Sequence, residues 1–218
     1  MKKIVLLFGV LYCWFAGINA QEANNDNFLS EIKQMVTDSI SPFYYPYLLE
    51  KVKKNPEEIT QMDCFYLYYG QIFQPNYKPL SFIANPERAD FDKAAMRGNS
   101  KKVIQLGKII LERNPVELTV LLHTSIAIDE QKKYVDNDYI PHRYRNLLSA
   151  IFSTGDGTTK ETAIKIVNME DDYILKGVLG FLGGTESLDF SKKNHAYSVW
   201  TKNGVKLYFE DVMNLDNE

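Results

Sequence analysis

The spacing of apolar residues changes near Gly155, and this change constrains the fold more than any other feature of the chain. Before Gly155 the apolar residues recur every three or four positions, a spacing that is typical of amphipathic helices. After Gly155 they alternate with a period of two, as in Thr162–Asn168, which is typical of strands. We therefore predict an α+β fold in which N-terminal α-helical hairpins precede a small C-terminal antiparallel β-meander.

The first part of the chain carries several helix signals. Thr60 is followed three residues later by Asp63, a pair that resembles a capping box. The segment from Ala95 to Pro115 is similar to the turn and second helix of a tetratricopeptide repeat, a unit that buries its apolar face by stacking on its neighbours. Helices are predicted near residues 28–41, 44–54, 60–73, 91–97, 103–113, 118–128 and 141–152.

The second part of the chain carries strand signals. Lys202-Asn203-Gly204 separates two alternating runs, and Asn-Gly between such runs indicates a tight hairpin. Four antiparallel strands are predicted, at residues 162–168, 173–181, 196–201 and 205–209. Their common apolar face is predicted to contain Trp200, Val205, Leu207 and Phe209.

The N-terminus has the pattern of a secretory signal peptide. Lys2 and Lys3 precede an apolar run from Ile4 to Ile18, and the small residue Ala20 precedes a polar stretch. We predict a signal peptide at residues 1–20, a helical domain at residues 21–153 and a β domain at residues 154–218 docked on it. The expected location is the bacterial envelope, periplasmic or extracellular, with no transmembrane segment in the mature chain.

Composition disfavours several classes of function. Loss of the two signal lysines changes the formal charge from −3 to −5, whereas nucleic-acid binding rests on a basic surface. Cys64 is then the only cysteine outside the signal peptide, so an intrachain disulfide is excluded. We expect no cofactor and no metal, because the histidines are few and none has a second ligand at helical spacing. Calcium at Asp136/Asp138 or at Glu170–Asp172 remains an alternative to solvated turns.

Two groups of side chains are candidates for a binding or catalytic role. Tyr44 and Tyr68 fall off the main apolar stripes of their helices, so their rings are predicted to lie at the surface and to contact a partner. Asp156 lies between two glycines near the junction of the two parts, and Glu161 and Asp172 follow it. An acid–base pair of carboxylates there would suit a hydrolase, although a turn aspartate that caps its own backbone is the simpler interpretation of Asp156.

Several motifs resemble a known family. Leu67-Tyr68-Tyr69-Gly70, the Gly155-Asp156-Gly157-Thr158 segment and the terminal Leu207-Tyr208-Phe209-Glu210 are similar to stretches of exported Bacteroidetes proteins in the domain of unknown function 4919 family. The resemblance implies an exported protein with a repeat-like helical part and a small β part. It implies no activity and no catalytic residue.

These observations leave competing functions open. The leading hypothesis is a non-catalytic envelope protein that binds a protein or a glycan through its helical surface. The alternative is an envelope or secreted hydrolase that uses the carboxylates near the helix–sheet junction, and a purely structural role is a third possibility. The specific ligand and the oligomeric state are not determined by the sequence.

Overall fold

The computed structural model describes residues 25–75, 77, 86–131, 139–191 and 196–212. The predictions for residues 1–20 and for Asp136 and Asp138 lie outside these residues. No helix in the described ranges is long and apolar enough to cross a membrane.

The described part of the chain forms eight α-helices and four strands, which confirms the α+β prediction. The helices are α1 (Asn25–Thr37), α2 (Tyr45–Lys54), α3 (Gln61–Gly70), α4 (Pro86–Met96), α5 (Ser100–Arg113), α6 (Leu118–Glu130), α7 (Ile140–Phe152) and α8 (Asp171–Val178). The strands are β1 (Ile164–Ile166), β2 (Thr185–Asp189), β3 (Ala196–Lys202) and β4 (Val205–Asp211).

Side-chain caps explain where two of the helices begin. The Thr60 hydroxyl accepts a hydrogen bond from the Asp63 amide at 3.2 Å, and an Asp63 carboxylate oxygen accepts one from the Thr60 amide at 2.8 Å. This is the predicted capping box, and it satisfies amides that the first turn leaves without partners. Asn99 caps α5 in the same way by accepting from the Lys102 amide at 3.2 Å.

The helices pack mainly on their neighbours in the chain. Helices α4, α5, α6 and α7 form consecutive pairs, α7 then packs on α3, and α3 packs on α1 and α2. This order is that of stacked hairpins, and the tetratricopeptide geometry stays a prediction. The hydrophobic core runs without a break from Leu29 in α1 to Val212 after β4, so the helical and β parts share it.

The sheet is mixed, with the strand order β1-β4-β3-β2. Strands β3 and β4 are antiparallel neighbours as predicted, and both residues of the Asn203-Gly204 turn have positive φ. Strand β2 pairs antiparallel with β3, although no strand is predicted at residues 185–189. The prediction of an antiparallel first strand is wrong, because β1 pairs in parallel with β4, Ile164 opposite Phe209. A hairpin cannot make a parallel pair, since the chain must cross over between the two strands.

The predicted second strand at residues 173–181 is also wrong, because most of it is helix α8. Asp171 and Asp172 occupy the first turn of α8, where negative side chains stabilise the positive end of the helix dipole. Gly180 ends the helix with φ +73, and the Phe181 amide donates back to the Lys176 carbonyl at 2.8 Å. That is a Schellman motif, in which glycine supplies the left-handed residue after the helix.

One face of the sheet packs against α8 and the helical core. Trp200, Leu207 and Phe209 are buried on this face, as predicted, whereas Val205 beside the hairpin turn is 61% exposed. Trp200 donates from its ring nitrogen to Asp172 of α8 at 2.9 Å, which holds the helix over β3.

Candidate functional site

An open groove with a volume of about 640 Å³ lies between α2, α5 and α7. The lining residues are Leu49, Val52 and Lys53 on α2, Lys108, Leu111, Glu112 and Arg113 on α5, and Ile140 and Arg143 on α7. Pro115 in the α5–α6 connection also lines the groove. The floor of the groove is apolar and consists of Leu49, Val52, Leu111, Pro115 and Ile140.

The polar lining of the groove is mostly cationic. Lys53 projects from α2, Lys108 and Arg113 from α5, and Arg143 from α7, whereas Glu112 is the one carboxylate in the described lining. This local excess of positive charge contrasts with the formal charge of −3 for the whole chain. An apolar floor with a cationic rim suits an anionic ligand that also carries apolar groups.

The cations of the groove differ in their freedom to move. The lysines are exposed and have flexible stems. The Arg113 guanidinium already contacts both carboxylate oxygens of Glu87 at 3.3 Å. Arg143 is only 7% exposed, so its position is set by the packing of α7. The two guanidinium groups are therefore held in place by their surroundings.

A second group of charged residues surrounds the first turn of α8, and it is buried. Asp171 is 1% exposed and accepts a hydrogen bond from the Tyr68 hydroxyl at 2.6 Å. The same hydroxyl accepts from the Val167 amide at 3.1 Å. The pKa of Asp171 is raised to about 8, chiefly by burial and also by the charges of Glu170 and other nearby carboxylates, although the hydrogen bond from Tyr68 lowers it.

Asp172, the next residue, faces the sheet. It accepts hydrogen bonds from the Ser198 hydroxyl and the Trp200 ring, and burial raises its pKa although both bonds lower it. One turn further along α8, the Lys176 ammonium lies 3.1 Å from the centre of the Trp200 ring and 4.5 Å from that of Tyr173. These contacts link α8 to β3 through a cation–π interaction and two hydrogen bonds.

Arg88 of α4 connects the helices to the residue before α8. Its guanidinium contacts Asp92 at 3.0 Å, Glu170 at 3.4 Å and also Glu117. Burial raises the pKa values of Glu117 and Glu170, although the charge of Arg88 opposes this. Perturbed carboxylates can mark a catalytic site. Here they are paired within the fold, and Asp171 and Asp172 are nearly inaccessible, so the group acts first as a structural anchor for α8.

The two tyrosines that were predicted to lie at the surface, Tyr44 and Tyr68, differ in their exposure. Tyr44 is half-buried just before α2. The prediction that Tyr68 lies at the surface is wrong, because its side chain is 0% exposed. Helix α3 packs against α1, α2 and α7, so residues on several sides of it are enclosed rather than those of a single stripe.

The three predicted carboxylates have different surroundings. Asp156 is exposed and accepts from the Thr158 amide at 2.9 Å and from the Thr162 hydroxyl at 2.6 Å, so it organises its own turn. Hydrogen bonds from these threonines hold its pKa below the ordinary value. Glu161 is exposed, and Asp172 is 3% exposed beneath α8. The turn interpretation of Asp156 fits these contacts.

Sequence reasoning missed the groove residues. Lys53, Lys108 and Arg143 lie on three helices that are far apart in the chain, and no spacing rule relates them. The local signal available was the apolar stripe of each helix, which predicts a buried face but not a gap between faces.

Within the described ranges, no group of three or more histidine, cysteine or acidic residues could hold a metal ion. Glu170, Asp171 and Asp172 point to different partners, namely Arg88, Tyr68 and the Ser198–Trp200 pair. The possible calcium site at Asp136 and Asp138 lies outside the described residues.

Comparison with known proteins identifies a family model that covers most of the chain. The family model described as Domain of unknown function (DUF4919) matches residues 30–210. No curated protein and no solved structure matches the chain.

Proposed function

Since the chain belongs to the DUF4919 family, whose description names no activity, we propose a function from the geometry: an exported bacterial protein that binds an acidic segment of a partner protein. The binding site is the groove between α2, α5 and α7. The observation that carries the proposal is the pairing of an apolar floor with a cationic rim in a groove of about 640 Å³.

The shape of the groove supports a peptide segment as the ligand. The floor residues Leu49, Val52 and Leu111 come from two helices that line a shared channel. Such a channel can receive one or two apolar side chains of a partner, which provide most of the binding energy. The lysines then attract the acidic residues of the segment and fix its direction.

The chemistry of the lining favours a peptide over a glycan. Sugar rings are usually bound by stacking on exposed aromatic rings, since each ring offers a flat apolar face. The described lining of the groove contains no aromatic residue. A neutral glycan would also offer no negative charge to the cationic side chains of the groove.

The hydrolase alternative receives less support from the contacts. A general acid must reach the substrate to transfer its proton. Asp172 is 3% exposed and is engaged by Ser198 and Trp200, and Asp156 is engaged by the threonines of its turn. A substrate would have to displace these contacts before either carboxylate could act.

Export is part of the proposal and rests on the sequence. The basic pair Lys2-Lys3, the apolar run that follows and the small residue Ala20 have the order of a signal peptide. An exported protein of this kind would bind its partner in the bacterial envelope.

The test measures binding of a labelled peptide of alternating glutamate and leucine residues by fluorescence anisotropy. We expect saturable binding that weakens as salt is added, and little binding of the same peptide with glutamine in place of glutamate. Lys108→Glu should weaken binding about fivefold to tenfold, because it replaces an attraction by a repulsion at an exposed site.

The control is Lys206→Glu, which reverses an exposed charge on β4 outside the groove. Equal affinity of the wild type and the Lys108→Glu variant would contradict the proposal. So would tighter binding of a neutral oligosaccharide panel than of the acidic peptide.

A further inference from the structure

Strand β2 is the outer strand of the sheet, and its solvent side has no strand partner within the described ranges. Of its five residues, the first four are exposed and Asp189 is half-buried. An exposed edge of this kind presents backbone donors and acceptors that can pair with another chain, and many proteins block such edges with lysine or proline. Strand β2, Thr185–Asp189, contains neither residue.

Exposed apolar side chains are concentrated around this edge. Of the thirteen large apolar residues that are exposed in the described chain, seven lie between residues 169 and 190. Leu188 in β2 is 51% exposed, Phe190 just after it 66% and Tyr173 on the adjacent α8 65%. An apolar concentration of this kind indicates an interaction surface.

The direction of the free backbone groups follows from the hairpin. The two-residue Asn203-Gly204 turn makes Lys202 and Val205 a hydrogen-bonded pair, and such pairs then alternate along β3. Alternate residues of β3, including Val199, therefore bond toward β2, and Val199 lies opposite Ser187. It follows that the amides and carbonyls of Glu186 and Leu188 point away from the sheet.

We infer that β2 is a homodimer interface, in which the β2 strands of two copies pair in antiparallel fashion about Ser187. In this register Glu186 of each copy lies opposite Leu188 of the other, and about four backbone hydrogen bonds form between their outward-facing groups. The two sheets become one continuous sheet, and Leu188 and the apolar residues beside it are covered.

The acidic residues of β2 are compatible with a second copy of the chain when the two strands pair about Ser187. A pairing centred on Glu186 would place two glutamates directly opposite each other, which is destabilising. A pairing centred on Ser187 places each acid opposite a neutral residue: Glu186 opposite Leu188, and Asp189 opposite Thr185. Both acids also have neighbours in their own chain, since Asp189 pairs with Lys160 at 2.6 Å and a carboxylate oxygen of Glu186 lies 3.2 Å from the Ser198 hydroxyl oxygen.

This interface is independent of the groove between α2, α5 and α7, so failure of one proposal leaves the other standing. The test uses the full chain, produced in a bacterial host and purified as the host processes it. Light scattering after size-exclusion chromatography measures the mass over a range of protein concentrations. We expect a dimer that dissociates on dilution, and a monomer at all concentrations for Leu188→Lys.

The matched control is Val205→Lys, which places a lysine at another exposed apolar position of the same sheet, beside the hairpin turn. It should remain dimeric. A wild type that is monomeric at every concentration would overturn the inference, as would a Leu188→Lys variant that dimerises as the wild type does.

A cysteine cross-link tests the register. Ser187 lies on the two-fold axis in a non-hydrogen-bonded pair, where Cα atoms are about 4.5 Å apart and a disulfide fits. Ser187→Cys should therefore form a covalent dimer on mild oxidation, whereas Ser30→Cys, on the exposed side of α1, should not. The native Cys64 is 0% exposed and gives little background. Absence of a Ser187→Cys cross-link would refute the pairing.

Discussion

Gly107 of α5 sits where the helix approaches α6 most closely, and Gly107→Ala is the substitution whose effect the structure defines best. A Cβ atom at this position would lie 2.1 Å from the Thr124 hydroxyl oxygen and 3.2 Å from the Thr124 Cβ and Cγ2 atoms. Thr124 is 0% exposed, and its hydroxyl has no hydrogen-bond partner among the described residues. Because a β-branched side chain has few rotamers in a helix, Thr124 cannot simply turn away.

Two opposing effects set the magnitude. Forcing an extra carbon into a packed interior costs about 1–3 kcal/mol. Replacing glycine by alanine within a helix contributes about 1 kcal/mol in the other direction. We therefore expect Gly107→Ala to lower the free energy of unfolding, by up to about 2 kcal/mol.

The control is Gly177→Ala in α8, where a Cβ atom would meet nothing within 4 Å. That substitution should raise the free energy of unfolding by about 0.5–1 kcal/mol, since only the helix preference changes. Urea unfolding measures both, and a shift of the midpoint with an unchanged slope identifies a change in stability.

A double-mutant cycle tests the contact itself. Thr124→Ala removes the atoms that a Cβ at position 107 would meet, so Gly107→Ala should become neutral or stabilising in that background. The coupling between the two substitutions should be at least about 1 kcal/mol. The reasoning is refuted if Gly107→Ala has the same effect with and without Thr124→Ala, or if it stabilises the wild type as Gly177→Ala does.

Three further predictions concern buried polar groups. Tyr68→Phe should lower the free energy of unfolding by about 2–4 kcal/mol, because it leaves two buried groups without their hydrogen bond; a change below about 1 kcal/mol in urea unfolding would contradict this. Asp171, whose pKa is raised to about 8 from 3.8, keeps its proton in the folded protein where the unfolded chain has lost it. Its contribution to stability is therefore complete below pH 3.8, falls as the pH rises toward about 8 and then levels. Asp171→Asn should make stability decline less steeply with pH than in the wild type. If thermal unfolding gives the two proteins the same pH dependence, Asp171 is not the cause of the decline. Cys64, with its pKa raised to about 12 by burial despite the nearby charge of Arg143, should stay unmodified by iodoacetamide in the folded protein and react in urea, as peptide mapping by mass spectrometry would detect.

The helices were predictable because their signals are local. The Thr60–Asp63 box satisfies the backbone of the turn that follows it, so a few neighbouring residues are sufficient to indicate where that helix begins. The Asn203-Gly204 turn was predictable for the same reason, since its backbone conformation depends on two residues.

Helix α8 was mispredicted although a local signal existed. The predicted strand at residues 173–181 contains two glycines, Gly177 and Gly180. Gly180 in fact occupies the left-handed position after a helix, and the two acids at the start of the helix complement its dipole. With eight residues, α8 shows too little periodicity to outweigh the alternation around it.

The sequence by itself determined the α+β class, the caps and turns and the pattern of a signal peptide, because each depends on residues close together in the chain. Only the tertiary structure decided that β1 pairs in parallel with β4, that Tyr68 is buried against Asp171 and that Lys53, Lys108 and Arg143 share a groove. These features join residues that are distant in the chain. Their relation is set by how whole helices and strands pack, and no local preference encodes it.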